Sequence, residues 1–301
     1  MPIVLITGIT GFIGTHLASH LSNLHWEVHG LIRQKRSLRD LSPFNNSIKF
    51  HSSECDIDSL IEIMKRVKPD LVIHLACFFI SEHKSVDIPE LISGNITFGT
   101  NLLEAMKFSK INKLINIGTD WQHFEAKHYS PYSLYAAMKQ SFQDILVYYS
   151  EVCSINYLTI ELGETYGPED LRPKILSLLR QAALSGEALE LSKGEQWLDL
   201  LHVKDIVRGI EIAGSFLLRG EIINKTFRLS SSKLLTLRQL VELYSSITGK
   251  KMEVLWGEKR YRSRERWNPW TYGIILPKWE PEITINEGIK EFHYHLTHKS
   301  I

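Results

Sequence analysis

The sequence predicts an α/β protein: a doubly wound parallel sheet followed by a smaller, mixed α/β lobe. Short apolar runs recur at separations long enough for crossover helices, and the first of them leads into a glycine-rich turn and then a helical pattern. After about residue 165 the rhythm shortens, which marks the lobe. In order, residues 3–7 read as an apolar, β-branched strand, and beyond the glycines Phe12, His16, Leu17 and Leu21 carry a helical pattern. Further strands are expected at 27–32, 48–50, 71–75, 114–117 and 155–160. The stretch Asp70-Leu-Val-Ile-His-Leu75 is apolar without alternation, as suits a strand covered on both faces. Residues 1–165 are assigned to the sheet domain and 166–301 mainly to the lobe, with segments around 197–230 returning to the sheet domain. Within the later part a helix is expected over 236–248, stopped by Gly249, and a last one near 286–296.

Composition narrows the function. The 301 residues are 44% hydrophobic and 23% charged, the balance of an ordinary globular chain. Thirty-five Lys and Arg against thirty-four Asp and Glu leave a net charge of +1, so there is no electrostatic case for nucleic acid or an anionic membrane as partner. No stretch approaches the roughly 18 apolar residues of a membrane span, and Met1 to Ile6 lacks a basic leader region, so a cytoplasmic protein is expected. Cys55, Cys77 and Cys153 are widely spaced and odd in number; they read as reduced core thiols, with neither a disulfide framework nor a metal site. A small, locally recognised ligand fits this frame.

Two motifs carry chemistry. In Thr7-Gly8-Ile-Thr10-Gly11-Phe12-Ile13-Gly14 a strand gives way to a helix, so backbone amides and the positive helix end can receive a pyrophosphate. Gly8 permits the tight turn, Gly11 removes a side chain that would block phosphate, and Gly14 lets the helix approach the sheet. The other reading is an ordinary glycine-rich βα turn. Farther on, Ser133-Leu-Tyr135-Ala-Ala-Met-Lys139 sets a phenol and an ammonium one helical turn apart, where both can face one substrate. A phenol titrates near ~10, and a nearby cation favours its ionised form and moves it toward working range. A packed aromatic beside a solvated lysine is the bland alternative. At the end of the second strand, Gly30-Leu-Ile-Arg33-Gln-Lys35-Arg36 offers cations where a carboxylate would hold the ribose of NAD. This favours NADP(H) over NAD(H), against the alternative of a solvated basic loop.

With these motifs in place, the chain resembles the extended short-chain dehydrogenase/reductase family, in the group that acts on nucleotide-activated sugars. Thr7 to Gly14 resembles that family's T-G-x-x-G-F-I-G, His74-Leu-Ala76 its segment under the adenosine, and residues 95–105 its helix N-x-x-G-T-x-N-L-L-E-A. Ile117-Gly-Thr119 resembles the strand end bearing the catalytic Ser or Thr, Tyr135 and Lys139 its Y-x-x-x-K, and Thr165-Tyr-Gly-Pro168 its Y-G-P turn. Residues 198–205 resemble R-D-F-x-H-V-x-D, with Leu198 in place of the arginine. The resemblance implies a Rossmann-type sheet that holds a dinucleotide through the glycine turn, Asp56, Ile57, Leu75, Ala76 and Cys77. It implies that Thr119 hydrogen-bonds the reacting oxygen, that Tyr135 exchanges a proton with it, and that Lys139 lowers the tyrosine pKa while gripping the cofactor ribose. It also implies a homodimer through the helix bearing Tyr135 and the 95–108 segment.

Three chemistries compete within that family. A 4,6-dehydratase keeps T-D-E, but this chain reads Thr119-Asp120-Trp121, with Trp121 where the glutamate base would be. A 4-epimerase needs tightly held NAD, which the Arg33 loop does not favour. A 4-ketoreductase needs what is present, and Gly118-Thr-Asp-Trp-Gln-His-Phe124 resembles the G-T-x-W-Q-H-Y of reductases of deoxy and dideoxy nucleotide sugars. A nucleotide-diphosphate sugar is therefore the expected substrate, with Asp120, Trp121, His123, Glu164, Arg172, Lys174 and Arg262 as candidate contacts. Arg260 and Arg264 belong to the same basic set, and Glu161 departs from the family pattern. A cofactor-binding sensor or scaffold without turnover stays as an alternative of a different class.

Overall fold

The structure, a computed structural model, describes residues 1–33, 44 and 47–295. Its strands are β1 (Ile3–Thr7), β2 (Glu27–Arg33), β3 (Lys49–Ser53), β4 (Leu71–His74), β5 (Lys113–Thr119), β6 (Asn156–Leu162), β7 (Glu164–Tyr166), β8 (Leu189–Leu191), β9 (Trp197–His202), β10 (Lys225–Leu229), β11 (Leu234–Thr236) and β12 (Val254–Trp256). The helices are α1 (Phe12–Asn23), α2 (Ile57–Val67), α3 (Ile88–Ile92), α4 (Phe98–Phe108), α5 (Leu134–Cys153), α6 (Ile175–Ser185), α7 (Val203–Arg219), α8 (Leu237–Thr248) and α9 (Ile285–Tyr294).

Among the described residues seven parallel strands form one sheet in the order β3-β2-β1-β4-β5-β6-β10. Strand order reverses between β1 and β4, and a crevice at the carboxyl ends of the strands is where such sheets take ligands. Strand β1 shows why both faces are covered. Val4 and Ile6 enter one apolar cluster with Leu17, Leu21, Ile210 and Leu217, whereas Leu5 enters the opposite one with Leu60, Met64, Leu102 and Phe142. Helices α1 and α7 pack together on the first face, and α2, α4 and α5 cover the second.

The six strands expected for the sheet are present, and β10 is the seventh, pairing with β6. Strand β9 does not join this sheet: it pairs with β7 in parallel and with β11 antiparallel. Around these strands the lobe builds its own core from Tyr166, Leu179, Leu240, Tyr244, Ile289 and Phe292. Leu198, where the family carries arginine, pairs with Leu235 across β9 and β11 and packs against this core. Helix α8 begins at a Thr236–Gln239 capping box and stops at Gly249, as its sequence signals require.

Candidate active site

The glycine turn is shaped for a ligand. Gly8 has φ +70°, and a Cβ there would lie 2.6 Å from the Ala76 amide nitrogen on the neighbouring strand end. A Cβ on Gly14 would lie 2.3 Å from the Gly8 carbonyl oxygen, so any side chain would push α1 off the turn. Gly11 caps α1 through its backbone alone; no side chain accepts from the first turn and no acid sits in it. The exposed amides and positive end of the helix therefore point at the crevice, with Thr10, Phe12 and Ile13 beside it. Thr7 joins the two central strand ends: its hydroxyl meets His74 Nδ1 at 2.8 Å and accepts from the Ala76 amide at 3.3 Å. Burial, with the Lys139 charge adding, lowers the His74 pKa to about 3, so this ring is neutral.

Arg33 ends β2, exposed, two residues beyond the pairing of Thr7 with Leu31. Lys35 and Arg36, the other cations of that loop, lie outside the described residues. Asp56 is the N-cap of α2, and both of its oxygens accept from Ser59, at 2.9 and 2.8 Å. Those bonds hold its carboxyl below the ordinary range. Ile57 opens the same helix, while Leu75, Ala76 and Cys77 follow β4.

Thr119 ends β5 and is buried. Its hydroxyl accepts from the Trp121 amide at 3.3 Å, which leaves the hydroxyl proton free to be donated elsewhere. Ser133 caps α5 and accepts from the Ala136 amide, setting Tyr135 and Lys139 in the first turns of a helix packed against the sheet. No hydrogen bond joins Tyr135 to Lys139 among those of the described residues. Burial pushes Tyr135 well above its ordinary pKa and Cys77, whose Sγ lies 4.0 Å from the phenol oxygen, pushes it further. Tyr135 therefore holds its proton at neutral pH and is set up as a donor. Burial lowers Lys139, a buried residue for whose ammonium the described residues show no hydrogen bond. A cation without an internal hydrogen bond beside the crevice fits the ribose hydroxyls of a dinucleotide, and the glycine turn fits its phosphates.

Several proposed substrate contacts are spent inside the chain. Arg172 donates from Nε and Nη2 to Asp170 at 2.6 and 2.7 Å and from Nη2 to Thr165, while its guanidinium lies 4.3 Å over the Phe12 ring. The buried Asp170 carboxylate pairs with it, and Arg172 ties the Y-G-P turn to α1. Glu164 is likewise occupied, with Lys174 Nζ at 3.2 Å and Arg266 Nη2 at 3.6 Å. Burial opposes its charge, yet Lys174, Arg266 and Arg172 prevail and hold it at about 2. Lys174 is thereby a partner of Glu164.

His123 is bonded within the chain. Its Nε2 faces Glu161 Oε1 at 3.1 Å and its Nδ1 faces the His128 carbonyl at 2.6 Å, while the ring stacks on Trp270 at 4.2 Å. Both nitrogens meet acceptors, so the ring is an internal double donor with neither nitrogen left for substrate, and Glu161 departs from the family pattern to hold it. Burial alone would lower its pKa; the Glu161 carboxylate and the carbonyls outweigh that and raise it. A raised histidine value gives stability that is complete below the ordinary ~6.5 and is lost as pH rises through the folded-state value. The melting-temperature gap between wild type and His123→Gln is accordingly expected to be widest near pH ~6 and to shrink toward pH ~9. A gap constant across that range in thermal scans contradicts the assignment.

Asp120, next to Thr119, is 7% exposed, and its Oδ2 accepts from Arg266 Nη1 at 2.6 Å. Burial still pushes its carboxyl up to about 6, since Glu164, Asp199 and Glu161 share its surroundings. Arg266 thus joins Asp120 to Glu164, and no local signal distinguished it from the other arginines of residues 260–266. Trp121 and Arg262 do face an open cleft, with Ser81, Glu82 and Tyr132, and the Arg262 guanidinium lies 5.9 Å from the centre of the Trp121 ring. Phe79 stands between Trp121 and Tyr135, a neighbour that spacing alone did not reveal.

A doubly wound sheet with a dinucleotide-shaped glycine turn after its first strand is the architecture of an extended short-chain dehydrogenase/reductase. The chain belongs to the NAD dependent epimerase/dehydratase family, which it matches over residues 4–224. It is similar to the CDP-abequose synthase of Yersinia pseudotuberculosis, 29% identical over 267 residues that cover 87% of this chain and 89% of that protein. It is also similar to the dTDP-glucose 4,6-dehydratase 1 of Escherichia coli K12, 23% identical and covering 96% and 91% of the two chains. In fold it superposes on the UDP-glucuronic acid 4-epimerase of Bacillus cereus, solved with UDP-glucuronic acid and NAD, with a TM-score of 0.85, 21% identity and 99% coverage of both chains. No helix among the described residues is long and apolar enough to cross a membrane.

Proposed function

We propose that this chain is an NADPH-dependent 4-ketoreductase of a nucleotide-linked deoxy or dideoxy sugar. The observation that carries the reading is the state of the residues beside Thr119. An elimination of water needs an acid and a base there; Asp120 offers a carboxyl, but Trp121 stands at the next position, where the glutamate base of the T-D-E pattern would be. Reduction needs a proton donor, and Tyr135 is a buried phenol that keeps its proton. The likeness to a CDP-abequose synthase supports the same choice.

When bound, the reduced nicotinamide dinucleotide supplies a hydride to the ketone carbon. Thr119 donates a hydrogen bond to the ketone oxygen, which makes the carbon more electrophilic. Tyr135 gives its proton to that oxygen as the C–O double bond becomes single, so ketone and proton end as an alcohol. Lys139 holds ribose hydroxyls and provides the positive charge against which the tyrosinate left behind is stabilised. The Gly8 to Gly14 turn seats the pyrophosphate, and Arg33 at the end of β2 supports the choice of a 2′-phosphorylated cofactor. We assign the sugar nucleotide to the cleft beside Trp121 and Arg262. A homodimer through α4 and α5 is part of the proposal, supported by the exposed Phe108, Tyr148 and Val152 on those helices.

The test is NADPH absorbance with 4-keto-6-deoxy sugars linked to CDP, dTDP, GDP and UDP. Oxidation stoichiometric with ketone loss is expected for at least one of them. An epimerase would instead retain NAD and interconvert sugars without net oxidation, and a sensor would bind NADPH without turnover.

A further inference from the structure

At the outer edge of the sheet a chain of side chains ties β2, β3 and α2 together. Leu31 of β2 enters the apolar cluster with Leu60 and Met64 of α2, and His29, two residues earlier on the strand, shares that face. Strand β3, which carries His51, ends the sheet and pairs with β2. Arg66 Nη2 lies 3.1 Å from His51 Nδ1, His51 Nε2 lies 2.8 Å from His29 Nδ1, and His29 Nε2 lies 3.0 Å from Glu27 Oε1, which also accepts from Lys49. The direction of each bond is forced. A guanidinium only donates, so His51 Nδ1 accepts and its proton sits on Nε2; that proton goes to His29 Nδ1, whose own proton sits on Nε2 and goes to the Glu27 carboxylate. Both rings are neutral, each in one tautomer. A proton added to either Nδ1 meets a donor already aimed at it, Arg66 at His51 and His51 at His29, and breaks the chain.

The same three elements end at the expected cofactor contacts. Arg33 pairs with Ser53 at the carboxyl ends of β2 and β3, Ser53 accepts from the Cys55 amide, and Asp56 caps the helix that carries Arg66. We propose that Arg66, His51, His29 and Glu27 form an acid-released clasp that sets the adenosine end of the cofactor site. With both histidines neutral it holds β3 and α2 on β2; a proton taken up from solution opens it and weakens dinucleotide binding. This rests on the reading of these strand ends as the cofactor site. The charges facing the two rings are Glu27 and Lys49 from the strands and Arg66 from the helix. Burial first, then the charges of His29, Arg66 and Lys49, lower His51 to about 4. A lowered histidine value gives stability that is present above the ordinary ~6.5 and is lost as pH falls toward the folded-state value. The clasp is therefore closed at pH ~7 and loosens below pH ~6.

The experiment follows β3 by amide hydrogen exchange, with intrinsic rates divided out, and the site by calorimetric titration with NADP+, at pH ~7 and pH ~5. Wild type is compared with His51→Gln, which offers an acceptor and a donor but takes no proton, and with Arg66→Met, which removes the donor that competes with the proton. His51 is half-buried and Arg66 exposed, and circular dichroism checks that both variants fold. From pH ~7 to pH ~5 the protection of β3 in wild type is expected to fall about 10-fold more than that of β5, and the Kd for NADP+ to rise several-fold. Most of both differences should vanish in each variant. The cofactor phosphate itself titrates near pH ~6 in all three proteins, so only the difference between them counts. An equal pH dependence of β3 protection in all three folded proteins overturns the clasp, and an equal pH dependence of NADP+ affinity overturns its link to the cofactor. Should NADP+ fail to bind at pH ~7, the cofactor reading itself fails, whereas hydrogen exchange still decides whether acid opens the clasp.

Discussion

Tyr135→Phe is expected to lower kcat by about 10²–10⁴-fold while NADPH still binds, because the change removes the proton and keeps the ring that packs on Phe79. The phenol is buried and above its ordinary pKa, so it is protonated in the resting protein and its loss removes the general acid directly. Steady-state NADPH oxidation measures the first part, and quenching or enhancement of NADPH fluorescence the second. A variant that retains more than about a tenth of wild-type kcat removes Tyr135 from the chemistry, since general acid catalysis contributes at least ~10²-fold. A variant that no longer binds NADPH reassigns it to cofactor binding.

The second large effect is expected at Arg266. Arg266 is 8% exposed and lies between Asp120 and Glu164, so Arg266→Met leaves the buried Asp120 carboxylate without its counter-charge, while the partly exposed Glu164 keeps Lys174. Removing one partner of a buried pair costs about 3–5 kcal/mol, much of it the penalty on the charge left behind. Urea unfolding should show a loss of that size with the slope unchanged, and the double variant Asp120→Asn/Arg266→Met should recover a large part of it. A single variant that loses less than about 1 kcal/mol contradicts the bridge, because that is the scale of an exposed pair. KM for the nucleotide sugar is expected to rise in the same variant, since Arg262, over Trp121, is on the segment that Arg266 anchors.

Both predictions touch residues of very different legibility. Tyr135 was marked by a spacing within one helix, and Gly8, Gly11 and Gly14 by a spacing within one turn. Arg266 had no such mark. It sits among alternating arginines of which Arg264 lies over Phe124 and bonds Ser130, whereas Arg266 turns inward to Asp120, 146 residues away in sequence. His123 shows the same limit from the other side: beside aromatics in the sequence it read as a possible substrate contact, and Glu161, 38 residues on, claims it.

What the sequence by itself determined is whatever depends on neighbours within a few residues. Apolar, non-alternating runs specify strands covered on both faces; glycines specify a turn that tolerates φ +70° at Gly8 and a helix pressed against it at Gly14; and the Tyr135–Lys139 interval specifies a shared helix face. Those features fix six of the seven strands of the sheet and set Tyr135 and Lys139 on one helix. Tertiary structure decided which charges are free and which are consumed: Arg172 by Asp170, Glu164 by Lys174 and Arg266, His123 by Glu161, and Asp120 by Arg266. It also decided that Phe79 stands between Trp121 and the phenol. The reason is physical. Backbone conformation is set by local sterics and periodic burial, whereas a buried charge takes whichever opposite charge the closed chain delivers to it.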